Sequence, residues 1–193
     1  MRSQRVTLPN IISASRLALA PLLIAFAITE QRTPFIVFLC VSFVSDVVDG
    51  LIARSFNQCT KLGARLDSAA DELTYIAAVV GVFQFEYEVI RSYGLAFYLF
   101  LILLFLATIF PIVKFRATSS YHLYSFKANA LFQALFFLDI FVFGFHPYLY
   151  YFVMMFGICA CLESLAVTLV LDQPMSNVKS LYRVLSDKKS GAG

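Results

Sequence analysis

Long apolar stretches dominate this sequence and limit the folds that it can adopt. Six such runs, separated by short polar connections, cover residues 8–28, 34–54, 62–85, 93–113, 128–145 and 148–171. A helix needs about 20 predominantly apolar residues to cross the hydrocarbon core of a bilayer. Only helices and closed barrels satisfy all their backbone polar groups in lipid, and barrel strands are short and alternating. The sequence therefore predicts an all-α polytopic membrane protein with six transmembrane helices.

Composition agrees with this prediction and excludes other classes of protein. Hydrophobic residues make up 60% of the 193 residues and charged residues only 14%, with a mean hydropathy of +0.79. Soluble domains usually carry about 25% charged residues. We expect one integral-membrane domain over residues 1–193, with a polar tail from about residue 180 that includes a short surface helix. The net charge of +3 is mild, and no nucleic-acid partner is expected.

The positions of Lys and Arg predict how the chain crosses the membrane. With six spans, thirteen of the fifteen Lys and Arg residues fall on one side, and only Arg32 and Arg91 fall on the other. Cytoplasmic loops of membrane proteins carry such an excess of positive charge. We therefore expect both termini in the cytoplasm and the protein in the cell (inner) membrane.

Four aspartates in the second and third runs are the strongest indication of chemistry. An acidic residue inside a span costs about 3 kcal/mol on insertion scales, so each one calls for a function or a partner. Asp46 and Asp49 are three positions apart, and Asp67 and Asp71 are four apart. Both spacings place the pair on one helix face. The short connection at 57–61 makes the two helices antiparallel neighbours, so the four carboxylates are expected to converge.

Four facing carboxylates need compensating positive charge. Protons could be shared, as in a proton-coupled transporter, or divalent cations such as Mg²⁺, Mn²⁺ or Ca²⁺ could bind to the oxygen ligands. Pairs of metal ions about 3.5–4 Å apart are common where displacement occurs at phosphorus. Gly50, Ala53 and Gly63 lie among these acids. Their small side chains allow either close helix packing or a slot for a flat ligand ring.

The acids and the small residues form one spaced pattern. Eight positions within 26 residues take part, namely Asp46, Asp49, Gly50, Ala53, Arg54, Gly63, Asp67 and Asp71. Their identities and spacing resemble the signature of the CDP-alcohol phosphatidyltransferase family. In the first run, Asn10, Ser13 and Arg16 resemble the Asn-x2-Thr-x2-Arg opening common in phosphatidylglycerophosphate synthases, with Ser in place of Thr.

The resemblance implies an enzyme that transfers a phosphatidyl group from CDP-diacylglycerol to the hydroxyl of a small alcohol and releases CMP. It implies two divalent cations, Mg²⁺ or Mn²⁺, held by Asp46, Asp49, Asp67 and Asp71, with Asp71 also the general base. It assigns CDP-lipid binding to Gly50, Ala53, Arg54, Gly63, Asn10 and Arg16. It further implies a homodimer, a six-helix fold and an active site that faces the cytoplasm.

The acceptor alcohol is indicated by a basic cluster. Lys114, Arg116 and Lys127 flank the connection between the fourth and fifth runs. Such a cluster could bind a phosphorylated acceptor, and we expect glycerol 3-phosphate. The alternative is ordinary positive-inside charge. Residues 67–72 read Asp-Ser-Ala-Ala-Asp-Glu, whereas phosphatidylglycerophosphate synthases typically read Asp-Pro-x-Ala-Asp-Lys. Asp-Ser is frequent in phosphatidylserine synthases, so phosphatidylserine or phosphatidylinositol(-phosphate) synthesis is the alternative within the family.

A few remaining polar residues have no assigned chemistry. Asp139 and Glu163 lie inside the fifth and sixth runs, where they are expected to face inward and could simply bond to a neighbouring helix. His122 is expected to be exposed in a loop. No pair of cysteines has Cys-x-x-Cys spacing, so buried free thiols are expected at Cys40, Cys59, Cys159 and Cys161.

Overall fold

The computed structural model describes residues 8–55, 61–116, 123–171, 173 and 178–190. The side chains at 8–9, 53–54, 61–62 and 187–190 lie outside this description. The helices are α1 (Leu8–Ile28), α2 (Arg32–Ser55), α3 (Lys61–Phe85), α4 (Tyr87–Phe115), α5 (Tyr124–Leu138), a π-helix (Asp139–Phe143), α6 (Pro147–Val170) and α7 (Leu181–Ser190). The described residues contain no strand, which confirms the predicted all-α fold.

The observed helix ends follow backbone hydrogen bonding rather than hydropathy. α1 has the predicted bounds, whereas α4 begins at Tyr87 instead of residue 93. Glu88 and Arg91 make that first turn polar, but charged residues of this kind are good helix formers. The fifth run also starts earlier, at Tyr124, and it ends at Gly144 with a φ of +102°. A positive φ of this size is readily adopted only by glycine, so the helix stops there.

Five helices of the described part of the chain are long and apolar enough to cross a membrane. They contain the segments Asn10–Ile28, Arg32–Ile52, Tyr87–Phe115, Tyr124–Phe143 and Pro147–Val170. α3 has 25 residues, but Lys61, Arg65 and the acids of residues 67–72 make its first half polar. The chain is therefore an integral membrane protein with five candidate spans. The sixth span and the orientation of the termini stay predictions.

The chain divides into two compact units, and the first is Met1–Arg91. Here α1 packs against both α2 and α3. The buried contact residues are mostly small, including Ala20, Ala27, Ala70, Ala77 and Ala78. Small side chains let helix backbones approach closely in a membrane, where packing rather than the hydrophobic effect holds helices together. This close packing brings the polar face of α1 against the acidic halves of α2 and α3.

The second unit is Ser92–Gly193. The Tyr150 hydroxyl of α6 donates to the Tyr93 carbonyl at 2.6 Å and accepts the Phe97 N–H at 3.1 Å. It thus contacts two α4 backbone groups that lie one helical turn apart. A Cβ added to Gly157 would lie 2.6 Å from Phe100 Cε2, so only glycine fits where α6 passes that ring. These contacts fix α4 and α6 at close range.

The cysteines are free thiols at the three described positions, but only one of them is fully buried. Cys40 is half-buried and Cys161 is buried, whereas Cys159 is exposed. The prediction of a buried thiol was wrong for Cys159. Cys159 and Cys161 are two residues apart and therefore point to nearly opposite sides of α6. Cys59 and His122 lie outside the described residues.

Candidate metal and substrate site

Arg16 of α1 lies at the centre of the four aspartates. Its guanidinium forms ion pairs with Asp46 and Asp71, and its Nη1 lies 3.4 Å from Asp49 Oδ2 and 3.6 Å from Asp67 Oδ1. The Arg16 side chain is almost fully buried, at 2% exposure. Sequence reasoning predicted the convergence of the carboxylates and expected Arg16 to contact substrate. The structure shows Arg16 on the carboxylates themselves.

The four carboxylates differ in depth. The Asp49 side chain is 5% exposed, whereas those of Asp46, Asp67 and Asp71 are 44%, 42% and 53% exposed. Asp49 therefore forms the floor of the site, and the other three form its rim. The site is therefore closed at Asp49 and open at its rim.

The polar face of α1 supports the floor. Asn10, Ser13 and Arg16 are each three residues apart, and all three are buried. This spacing keeps them on one helix face. The Ser13 hydroxyl donates a hydrogen bond to Asp49 Oδ2 at 3.1 Å. Ser13 belongs to the motif of the first run, but the sequence alone did not indicate a function for it. The three-residue spacing between Ser13 and Arg16 is the sequence feature that places Ser13 on the same helix face as Arg16.

The carboxylates meet the requirements of a hard divalent cation. Asp46, Asp49 and Asp67 each offer a ligand oxygen, and these oxygens lie within 4.8 Å of one another. Carboxylate oxygens are the ligands that Mg²⁺ and Mn²⁺ prefer. The same carboxylates already surround the positively charged guanidinium of Arg16, so a cation at this position is stabilised by them. The residues therefore fit a divalent metal.

The small residues of the motif border the acids on two helices. Gly50 follows Asp49 on α2 and is half-buried, as is Gly63 near the start of α3. Ala53 and Arg54 continue α2 by one turn, but their side chains lie outside the described residues. The structure thus places Gly50 next to the floor of the site.

The three basic residues predicted to bind the acceptor have different surroundings. The Lys114 ammonium, at the end of α4, donates to the carbonyls of Thr168, Leu169 and Leu171 at 2.8, 3.1 and 2.9 Å. All three of its donors are therefore used to cap the C-terminus of α6. Arg116 and Lys127 are exposed. Sequence reasoning did not predict the capping contact of Lys114.

The two unassigned acids each bond within the second unit. Asp139 accepts a hydrogen bond from His146 Nδ1 at 2.9 Å. Glu163 accepts the Ser125 hydroxyl at 2.5 Å and the Leu181 N–H at 3.0 Å. Glu163 therefore joins α6 to α5 and α7, which agrees with the expectation that it bonds to a neighbouring helix.

Comparisons with known proteins agree with this site. The family model for CDP-alcohol phosphatidyltransferase matches residues 6–170. A CDP-diacylglycerol–glycerol-3-phosphate 3-phosphatidyltransferase of Aquifex aeolicus is 32% identical over 138 residues, which cover 70% of this chain and 75% of that protein. A CMP-forming cardiolipin synthase of Streptomyces coelicolor is 39% identical over 83 residues, 40% of this chain and 39% of that protein. No solved structure matches the chain. The chain belongs to the CDP-alcohol phosphatidyltransferase family.

Proposed function

We propose that the protein transfers the phosphatidyl group of CDP-diacylglycerol to the hydroxyl of glycerol 3-phosphate and releases CMP. The observation that carries the proposal is the convergence of four aspartates at one open site in an integral membrane protein of this family. Relatives named for the glycerol 3-phosphate reaction align over as much as 70% of the chain.

The reaction needs charge neutralisation at phosphorus and a proton acceptor. Two divalent cations, Mg²⁺ or Mn²⁺, held by Asp46, Asp49, Asp67 and Asp71, would supply the neutralisation on the phosphate oxygens. Asp71 is the general base. It takes the proton of the acceptor hydroxyl as that oxygen forms its bond to the lipid-bearing phosphorus and the bond from phosphorus to CMP breaks. Its side chain is the most exposed of the four, at 53%, which suits contact with an incoming alcohol.

The CDP-lipid is bound beside the floor of the site. Its cytidine lies in a slot lined by Gly50, Ala53 and Gly63, and its pyrophosphate meets Arg54 with help from Asn10 and Arg16. Support comes from the motif itself and from the half-buried position of Gly50 directly after Asp49. In this proposal Arg16 exchanges some contacts with the carboxylates for contacts with phosphate once metal ions bind.

The chain crosses the membrane six times in this proposal. α3 makes the sixth, since 25 residues at about 1.5 Å per residue are long enough to cross a bilayer. The Lys and Arg distribution supports cytoplasmic termini, an active site on the cytoplasmic face and a location in the inner membrane. The protein acts as a single membrane domain and, by resemblance, as a homodimer.

The acceptor phosphate is bound by the basic cluster of Lys114, Arg116 and Lys127. Arg116 and Lys127 are exposed, and exposed donors are available to a small anion. Lys114 contributes its charge while it caps α6. Charge-assisted hydrogen bonds of this kind are stronger than neutral ones.

A second candidate reaction is cardiolipin synthesis with release of CMP. It is favoured by identities of 39% and 42% to cardiolipin synthases, each over 40% of this chain. The test is CMP release by the purified protein with CDP-diacylglycerol and each of glycerol 3-phosphate, phosphatidylglycerol, serine and inositol. Turnover with glycerol 3-phosphate is expected. Turnover only with phosphatidylglycerol would favour cardiolipin synthesis, and turnover only with serine or inositol would favour the other reactions of the family.

A further inference from the structure

The last helix, α7, is anchored beside the end of α6. The Leu181 N–H donates to the Glu163 carboxylate at 3.0 Å, and the Lys179 carbonyl accepts the Tyr124 N–H at 3.2 Å. α6 continues for about two turns beyond Glu163. The start of α7 therefore lies alongside the last turns of α6, at the same end of the unit as the start of α5.

One face of α7 is buried against these helix ends. Val184 is 8% exposed and belongs to an apolar cluster, and Leu181 packs against that cluster. The other buried members of the cluster are Leu123, Val167, Leu171 and Val178. This cluster and the Glu163 bond hold α7 in a defined orientation.

The apolar strip of α7 is wider than the face that the cluster covers. Tyr182 is 80% exposed and Leu185 is 43% exposed. With roughly 100° between successive residues of a helix, Leu185 lies beside Leu181 at the edge of the buried face, and Tyr182 continues the same strip away from Val184. Arg183 lies on the opposite, exposed side. Among residues 181–186, the uncovered part of the helix is thus apolar on one flank and polar on the other.

The position and charge of α7 indicate what covers this flank. α6 is a candidate span, so its end lies at the boundary between lipid and water, where tyrosine is enriched. α7 carries three basic residues, Arg183, Lys188 and Lys189, against one acid, Asp187. A helix with an apolar flank and excess positive charge at a membrane surface matches an anionic lipid layer.

We propose that α7 is an interfacial helix that binds anionic lipid headgroups. Tyr182 and Leu185 enter the boundary between headgroups and acyl chains, Arg183 contacts lipid phosphates, and Lys188 and Lys189 add to the positive charge of this segment. Each basic residue near an anionic surface contributes roughly a fivefold change in the binding equilibrium, about 1 kcal/mol. This inference rests on none of the residues of the aspartate site and does not depend on which alcohol is the acceptor.

The protein has no tryptophan, so a single Trp reports on α7 without background. The full-length Tyr182→Trp protein is reconstituted in phosphatidylcholine vesicles with or without phosphatidylglycerol, and quenching by lipids brominated along the acyl chains is measured. We expect quenching that is stronger with phosphatidylglycerol and that falls to the neutral-vesicle value in high salt. Leu185→Trp is a second reporter on the same flank and should behave alike.

Two further variants make the test specific. Tyr148→Trp places the reporter on a tyrosine that is 93% exposed at the other end of α6, and its quenching should not depend on phosphatidylglycerol. Replacement of Arg183, Lys188 and Lys189 by Gln in the Tyr182→Trp protein should remove the additional quenching that phosphatidylglycerol produces. Absence of quenching in both vesicle types would overturn the interfacial position. Equal quenching in neutral and anionic vesicles would overturn the binding of anionic headgroups.

Discussion

Ser13 of α1 donates a hydrogen bond of 3.1 Å to Asp49 of α2, and both residues are buried. This bond orients the one carboxylate that forms the floor of the site. Partners that orient metal ligands often change metal affinity by about 10–100-fold when they are removed. Ser13 is therefore expected to tune the site although it is not a ligand itself.

The first prediction concerns this hydrogen bond. Ser13→Ala should raise the Mg²⁺ concentration for half-maximal activity by about tenfold or more, because Asp49 Oδ2 loses its donor. Titration of CMP release with Mg²⁺ measures the effect. Ser13→Thr, which keeps the hydroxyl, should remain close to the unchanged protein. Ser15→Ala is the matched control, since the Ser15 hydroxyl bonds only to the Ile12 carbonyl of its own helix. Equal Mg²⁺ dependence in Ser13→Ala and Ser15→Ala would contradict the prediction.

The second prediction concerns Arg16 as the protein's own counter-charge. Arg16→Gln should destabilise the protein in chelator by about 3 kcal/mol, because the buried carboxylate of Asp49 then has no cation beside it, while the half-exposed carboxylates of the rim are partly screened by solvent. Added Mg²⁺ should restore thermal stability more strongly in this variant than in the unchanged protein. Arg32→Gln removes an exposed ion pair with Glu86 and should cost no more than about 1 kcal/mol. The melting temperature is measured in detergent. If Mg²⁺ does not change the melting temperature of Arg16→Gln, cations do not replace the guanidinium.

The third prediction concerns the nucleotide slot. Gly50→Leu should raise the KM for CDP-diacylglycerol while the protein still folds, because the added side chain fills the space proposed for the cytidine ring. Val47→Leu is the control on the same helix, since Val47 is 61% exposed. Steady-state kinetics at saturating acceptor separates the two variants. An unchanged KM in a correctly inserted Gly50→Leu protein would mean that the small residues serve helix packing.

The fourth prediction separates the two functions of the basic cluster. Arg116→Gln with Lys127→Gln should raise the KM for glycerol 3-phosphate more than tenfold, since each charge-assisted hydrogen bond contributes about 1.5–3 kcal/mol and tenfold corresponds to about 1.4. The KM for CDP-diacylglycerol should change little. Lys114→Gln should in addition lower the melting temperature, because the carbonyls of Thr168, Leu169 and Leu171 lose their donor. An unchanged acceptor KM in the double variant would favour an acceptor without phosphate.

The sequence was sufficient for those features that depend on local spacing. The run at 8–28 matched α1, and the intervals between the aspartates predicted their convergence, because helix periodicity and one short connection determine both. Two contacts could not be predicted this way. Arg16 reaches the acids only because α1 packs against α2 and α3. Lys114 reaches α6 only because the ends of α4 and α6 lie side by side.

The metal dependence of CMP release is the decisive measurement for the proposed aspartate site. The purified protein is given CDP-diacylglycerol and glycerol 3-phosphate, and CMP is measured in Mg²⁺, in excess chelator, and for Asp46→Asn, Asp67→Asn and Asp71→Asn. We expect turnover in Mg²⁺, none in chelator with recovery on added Mg²⁺, and loss of turnover in each folded variant. Retained activity in Asp71→Asn alone would remove only its function as the base. Full CMP release in excess chelator would contradict the metal site on which the proposed reaction depends.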